Sequence, residues 1–257
     1  MADRKLKIDI RRDQILRQLR QEGRVSVTRL SEMLGTTEVT IRNDLSALER
    51  DGFLMRVQGG AVPLPGRESS GLPDQELSHP SEKQAIASAV AKMIRDGDTL
   101  FINSGSTTAC VAEALKSRKN LKIVTNSLAV ATQLGDVSTL RVLLLGGEIN
   151  VRYGFTYGSA AQEQLGRFQA AWAILSVDGI SPAGGITTYH EEEAILDRMM
   201  IDAAERTLIA ADGSKIGRAG FNRVCECGRK LTLVTNRCEL NETVGQLQEC
   251  GVQICYV

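Results

Sequence analysis

Two polar runs hold the residue types from which chemistry can be built. In "NSGSTT" (103–108), small side chains let a ligand approach the backbone closely. Ser104, Gly105, Ser106, Thr107 and Thr108 offer it N–H and hydroxyl donors, a pattern suited to an anion. Polar or glycine turns recur in "VTNS" (124–127), "LLGGE" (144–148) and "DGSK" (212–215), adding Asn126, Gly146, Gly147, Asp212 and Lys215. Asp178 lies in "SVDGI" (176–180). The second run is "TTEVTIRNDL" (36–45). Ile41, Leu45 and Leu48 follow at spacings of four and three, which makes one narrow apolar stripe on a helix. Val39, Asn43, Ser46 and Arg50 fall on the other side, with Thr40 and Arg42 on its flanks. Such a side can be a solvated face. It also holds the groups that read a duplex, because Arg and Asn bond guanine and adenine edges while Thr and Val touch thymine methyls.

The elements around these runs decide between the readings. "IDIRRDQILRQLRQEG" (8–23) has Ile8, Ile15, Leu16 and Leu19 at helical spacing and Gly23 as a stop. "VSVTRLSEMLG" (25–35) predicts a shorter helix ending at Gly35, and a third runs from about Thr37 to Asp51, before Gly52. "FLMRVQGGAV" (53–62) alternates around a Gly-Gly turn, as a short hairpin does. Helix, helix, tight turn, helix and hairpin make a winged helix-turn-helix, whose last helix enters the major groove. Residues 1–60 carry 12 Lys/Arg against 9 Asp/Glu, whereas the remainder has 19 against 22, so the excess of positive charge sits with this unit.

Pro63, Pro65, Pro73 and Pro80 mark residues 63–80 as a linker. From Ser81 strands and helices alternate. Ser81 and Gln84 have capping-box spacing at the head of a helix reaching Ile94. Strands are predicted at 99–102, 121–126, 141–147, 171–180, 207–212 and 230–236, with helices at 109–116, after 126 to Leu134, and at 191–205. Near-continuous apolar strands of this kind form a mainly parallel sheet covered on both faces. The expected organisation is therefore a winged helix-turn-helix over 1–62, a linker over 63–80 and an α/β domain over 81–257. Loops after parallel strands gather on one sheet edge, where such folds bind small molecules.

Composition narrows the classes further. The chain has 257 residues, 42% hydrophobic and 24% charged, an ordinary globular balance. No apolar run is long enough to span a membrane, and the first thirty residues lack a signal-peptide core, so a cytoplasmic protein is expected. Its six cysteines then read as thiols. Cys225, Cys227 and Cys238 lack Cys-x-x-Cys spacing and a neighbouring histidine, which argues against zinc. No metal and no cofactor is expected.

The N-terminal 60 residues resemble the DNA-binding domain of DeoR-family transcriptional regulators. That family has a Thr-Ile-Arg-Arg-Asp-Leu run at its recognition helix, matched by "TIRNDL" (40–45). Its Leu-Glu, Gly, Arg and His-Gly-Gly-Ala wing pattern is matched by "LERDGFLMRVQGGA" (48–61). Asn43 replaces the second arginine and Gln58 the wing histidine, which implies an altered operator. The resemblance implies double-stranded operator DNA as partner, read by Thr37, Val39, Thr40, Arg42, Asn43, Ser46 and Arg56. Residues 81–257 resemble the family's sensor domain, similar in fold to sugar-phosphate isomerases such as ribose-5-phosphate isomerase. This implies a phosphorylated sugar or sugar derivative as effector. The Ser104–Thr108 turn would hold the phosphate with Lys215 as countercharge; Asp178 and Asp212 would accept sugar hydroxyls, and Asn126 would contact either part. The expected role is a repressor of a carbohydrate-utilisation operon, acting as a homodimer or homotetramer. The alternative is an isomerase-like enzyme fused to a DNA-binding domain. It needs a second carboxylate near Asp178, and Glu148 is a candidate, because "DGIS" (178–181) leaves Asp178 alone. "EEE" (191–193) reads as a solvated helix start, and Trp172 and Tyr157 as packing residues.

Overall fold

Capping residues bound the helices of the N-terminal unit. Ser26 Oγ accepts from Arg29 N at 3.2 Å and opens helix α1 (Val27–Met33). Thr37 Oγ1 accepts from Thr40 N, also at 3.2 Å, and opens helix α2 (Glu38–Arg50). These contacts are seen in a computed structural model that describes residues 8, 11–12, 14–16, 18–19, 22, 24–50, 54–62, 79–151, 153–238 and 241–257. Gly23, Gly52 and the proline-rich stretch 63–78 lie outside the described residues. The chain divides into two compact units, Met1–Ser78 and His79–Val257.

In the first unit the described residues ahead of Arg24 are helical, and Ile15 and Leu19 pack with Leu30, Ile41, Leu45, Leu48 and Leu54 in one core. Strands β1 (Val25–Ser26), β2 (Met55–Val57) and β3 (Gly60–Val62) form an antiparallel sheet of order β1-β3-β2. Two expectations change here. Val25 and Ser26 leave the predicted helix because Val25 pairs with Ala61 on the wing. The hairpin turns at Gln58–Gly59 rather than at the Gly-Gly pair, since Val57 and Gly60 are paired. Gly60 is needed for the third strand to approach: a Cβ there would lie 1.9 Å from the Val25 carbonyl oxygen.

The second unit begins with α3 (Pro80–Met93), β4 (Thr99–Ile102), α4 (Ser106–Leu115), β5 (Lys122–Thr125), α5 (Leu128–Gly135) and β6 (Arg141–Leu144). A hairpin, β7 (Glu148–Asn150) and β8 (Phe155–Tyr157), precedes α6 (Ser159–Leu165) and β9 (Ala170–Leu175). After β10 (Gly179–Ser181), β11 (Gly185–Thr188) and α7 (Glu191–Asp202) come β12 (Ala204–Ala210) and β13 (Asn222–Cys225). The chain closes with β14 (Leu231–Thr235), α8 (Asn241–Glu249) and β15 (Gln253–Tyr256). Seven strands pair in parallel in the order β15-β14-β12-β9-β4-β5-β6. Strand alternation sends Leu100, Ile102 and Ile123 into the core beneath α3, α4 and α5. Phe101, Val124 and Leu175 enter the opposite core with residues of α6, α7 and α8.

The predicted capping box is not made. α3 begins at Pro80, after His79 at φ 54°, and Ser81 Oγ donates to Glu82 at 2.8 Å. Proline suits a first helical position because its missing N–H has no partner there anyway. The strand predicted at 171–180 ends at Leu175, and its last residues belong to β10. The strands β7, β8, β11, β13 and β15 were not foreseen; at three or four residues each, they are too short to show a period.

Candidate functional site

Strand order locates the ligand site. The chain runs outward from β4 to β6 on one side and from β9 to β15 on the other, so the sheet's switch point lies between the carboxyl ends of β4 and β9. "NSGSTT" follows β4 at that crevice. Asn103 stitches its two sides together: its Nδ2 donates to Ser176 O at 2.9 Å, and its Oδ1 accepts from Ser176 N at 2.9 Å. The chain can pass so close only with glycine at 105, where a Cβ would lie 2.6 Å from Ser176 Cβ. α4 starts at Ser106, three residues earlier than predicted, so Ser106, Thr107 and Thr108 form its first turn. Their N–H groups precede the helix's first internal bond, from Ala109 N to Gly105 O, and this donor-rich end suits an anion.

Beside the expected Asp178 stand two carboxylates that sequence reasoning missed, Glu193 and Asp197. Ser104 Oγ donates to Glu193 Oε1 at 2.6 Å, and Asn103 Nδ2 lies 3.0 Å from both oxygens of the buried Asp197. Thr188 Oγ1 lies 2.9 Å from Asp178 Oδ2 and 3.2 Å from Glu193 Oε2. A hydroxyl has one proton to give. If Thr188 gives it to the nearer Asp178, Glu193 must hold its own. Burial, then the charge of Asp178, pushes the Glu193 carboxyl up to about 8, against the opposing bonds from Ser104 and Thr188. Burial and the neighbouring Glu193 likewise raise Asp197 well above the usual range.

Glu193 therefore corrects the reading of "EEE" as a solvated start: Glu191 and Glu192 are exposed, while Glu193 turns inward. The signal was its spacing, since Glu193 and Asp197 are four apart on the helix side that also buries Ala194, Met200 and Ile201. Asp178 has Glu193 as its carboxylate neighbour, whereas Glu148 accepts from the Tyr157 hydroxyl. Trp172 packs as expected, with its indole N–H on Asp98 at 3.2 Å and Arg206 over its ring at 3.8 Å.

The other candidates lie on the same sheet edge but are partly engaged elsewhere. Buried Asn126 donates from Nδ2 to Thr156 O at 3.4 Å, while its Oδ1 is buried without a protein partner. Gly146 N donates to Gln164 Oε1, and a Cβ at Gly147 would lie 2.2 Å from Tyr157 O. Asp212 accepts from Ser214 N at 2.9 Å as the cap of its own turn. Burial would raise its carboxyl, but that bond and the Lys215 charge hold it below the usual range. Among the described residues no hydrogen bond or ion pair joins Lys215 or Gly146 to the Ser104–Thr108 turn. Among the described residues no group of three or more His, Cys, Asp or Glu could hold a metal, and burial raises Cys225 to about 12 and Cys227 to about 11.

On the first unit, α2 buries Ile41, Leu45 and Leu48 and exposes its other side. Val39 is 63% exposed, Thr37, Arg42 and Asn43 are exposed, and Thr40 is half-buried. Arg42 pairs with Glu38 at 2.6 Å, and Glu38 also accepts from Thr28 at 2.8 Å. Ser46 and Arg56 are brought together: Arg56 Nη1 donates to Ser46 Oγ at 2.8 Å, and Arg56 N to Glu49 Oε1, which ties the wing to the helix. Asp44, also unforeseen, is buried and takes Arg11 Nε at 2.6 Å and Arg12 Nε at 3.1 Å.

Residues 11–64 match the DeoR-like helix-turn-helix domain, and residues 78–237 match the DeoR C terminal sensor domain. The chain belongs to the DeoR family. This DeoR-family protein is a DNA-binding transcriptional regulator. It is 34% identical over 208 residues to the glycerol-3-phosphate regulon repressor of Escherichia coli (strain K12), covering 81% of this chain and 82% of the relative. It is 32% identical to the lactose phosphotransferase system repressor of Lactococcus lactis subsp. lactis, over 88% of this chain and 90% of the relative. With the transcriptional repressor GlcR of Bacillus subtilis (strain 168) it shares 30% identity over 93% of both chains. These relatives are repressors, and the isomerase alternative is set aside on them. A ribose 5-phosphate isomerase A structure from Methanocaldococcus jannaschii aligns with 54% of this chain and 55% of its own, at 14% identity and a TM-score of 0.41. Among the described residues no helix is long and apolar enough to cross a membrane.

Proposed function

We propose that this regulator represses a carbohydrate-utilisation operon and that a phosphorylated sugar or sugar derivative changes its operator affinity. One observation carries the effector reading. At the switch point the first turn of α4 offers donors, and Asp178 and the unpartnered Asn126 Oδ1 offer acceptors on the same sheet edge. A ligand suited to both has an anionic group at one end and hydroxyls at the other. Ser104 already donates to Glu193 and Thr108 Oγ1 to Gly105 O, so the phosphate is assigned to the N–H groups of Ser106–Thr108 and the hydroxyls of Ser106 and Thr107. Lys215 supplies countercharge, Asp178 and Asp212 accept hydroxyls, and Gly146 and Gly147 line the far wall. The names of the relatives support the sugar class, since they regulate glycerol-3-phosphate and lactose systems.

Operator reading falls to Thr37, Val39, Thr40, Arg42 and Asn43, with Ser46 and Arg56 holding the wing against the helix. We assign the DNA-binding domain to 1–62, the linker to 63–80 and the sensor to 81–257, in a homodimer or homotetramer bound to repeated half-sites. A thermal-shift screen of phosphorylated sugars tests the site, because a ligand that binds the native state raises its melting temperature. At least one phosphorylated sugar should stabilise the protein and shift a gel-retardation titration with operator DNA. Stabilisation by free sugars alone would sink the phosphate assignment.

A further inference from the structure

We infer that the β6 edge of the sensor sheet, with the start of the β7–β8 hairpin, is the surface on which a second copy of this chain docks about a two-fold axis. β6 is an outermost strand. Arg141 N and Leu145 N donate inward, to Leu121 O and Thr125 O at 2.9 and 2.8 Å. By the parallel-strand alternation, the N–H and C=O groups of Val142 and Leu144 then point away from β5. The side chains are apolar on both faces of the strand: Leu143 is 36% exposed and Leu144 39%. Beyond Gly146, Gly147 and Glu148, Ile149 at 52% and Val151 at 74% add further exposed apolar side chains. Natural edge strands are usually guarded by lysine, proline or a bulge. From Val142 to Leu145 there is no charge and no proline.

Charge identifies the occupant. The segment opens on exposed Arg141 and closes on exposed Glu148, with apolar residues and two glycines between. An antiparallel copy paired about Leu144 brings Arg141 of each protomer to the Gly147–Glu148 end of its partner. A basic head, an apolar middle and an acidic tail thus complement themselves, as a two-fold contact requires. The opposite edge, β15, is less suited, with polar Gln253 at its start and Arg237 lying over the Tyr256 ring. Edge pairing alone is smaller than the roughly 800 Å² each partner contributes to a stable interface, so the hairpin that carries Ile149 and Val151 belongs to the contact.

The inference rests on the operator reading only for the need of a dimer, and sedimentation of the full chain tests it separately. The unaltered protein should sediment as a dimer or an even multiple. Leu144→Asp should halve its mass at micromolar concentration while a phosphorylated sugar still raises its melting temperature. Arg141→Glu and Glu148→Arg should each weaken the dimer about tenfold, as for a lost charge pair, and the double variant should recover most of the loss. That recovery decides the matter even where Leu144→Asp folds poorly. A monomeric unaltered protein would overturn the inference, as would a dimer indifferent to these changes or a double variant no better than the singles. A Leu144→Asp protein of unchanged mass but extended shape would also overturn it, by placing the chain's own N-terminal unit on the strand. A dimer that follows these expectations but responds to no phosphorylated sugar would leave the interface standing and remove the effector reading.

Discussion

At Thr188 one hydroxyl proton faces two carboxylates, and that shortage has a measurable consequence. The Glu193 carboxyl, raised to about 8 by burial and by Asp178, ionises near its ordinary value of about 4.3 when the chain unfolds. Between those values the folded protein binds a proton that the unfolded chain has lost. Stability from this group is therefore full below the lower value and falls as pH rises toward about 8. Asp197, raised by burial and by Glu193, acts in the same direction. Glu193→Gln keeps the hydrogen bonds and removes the titration, so its melting temperature should vary less with pH across that window. An equally steep decline in the variant would clear Glu193 of the effect. On the DNA side the same weighing applies to Arg42. Its exposed pair with Glu38 is worth only about 0.3–0.5 kcal/mol, so exchanging it for a base contact costs little. Arg42→Ala should weaken operator binding by about 1–3 kcal/mol; unchanged gel-retardation affinity would remove Arg42 from the reading set. Asn43 was legible as an exposed polar residue from the stripe of Ile41 and Leu45. Glu193 was legible only through its spacing from Asp197 on the buried side of the helix; read alone, a glutamate at a helix start looks the same whether a distant serine meets it or water does.

Among elements, legibility followed length and period. The interior strands of the large sheet are apolar runs, and the sequence shows them without help from their neighbours; the edge strand β15, with Gln253 and Tyr256 exposed, was missed. The strands at 148–150, 155–157, 179–181 and 185–188 are short local hairpins, and 222–225 exists through a partner far along the chain, Arg223 lying opposite Thr187. Caps were readable where a side chain makes the bond, as at Thr37, and misread at Ser81, where proline already satisfied the helix start. The β4–α4 turn shows why spacing alone understates a glycine. Ser176, against which a Gly105 Cβ would press, is held at both its N–H and its C=O by Asn103, so it cannot retreat. Gly105→Ala should destabilise the sensor by about 1–3 kcal/mol through the strained backbone it forces. It should also abolish stabilisation by the phosphorylated sugar, because α4's first turn must move with it. A variant that melts and responds like the unaltered protein would show that the turn has slack.

Across the whole molecule, the two units own separate cores. Ile15, Leu30, Ile41 and Leu54 belong to the first, and the two layers about the seven-stranded sheet belong to the second. The cores differ greatly in size. Units so built should unfold as two transitions rather than one. Each can be moved separately. Asp44→Ala removes a buried carboxylate that anchors Arg11 and Arg12. The arginines left behind are partly exposed and can turn to water, so the cost should fall below that of stranding a buried charge, at about 2 kcal/mol. Calorimetry should show the variant lowering only the smaller transition, and a phosphorylated sugar should raise only the larger one. If one cooperative transition moved under both perturbations, the units would be thermodynamically coupled without DNA, and ligand binding would already act on the reading helix in the free protein.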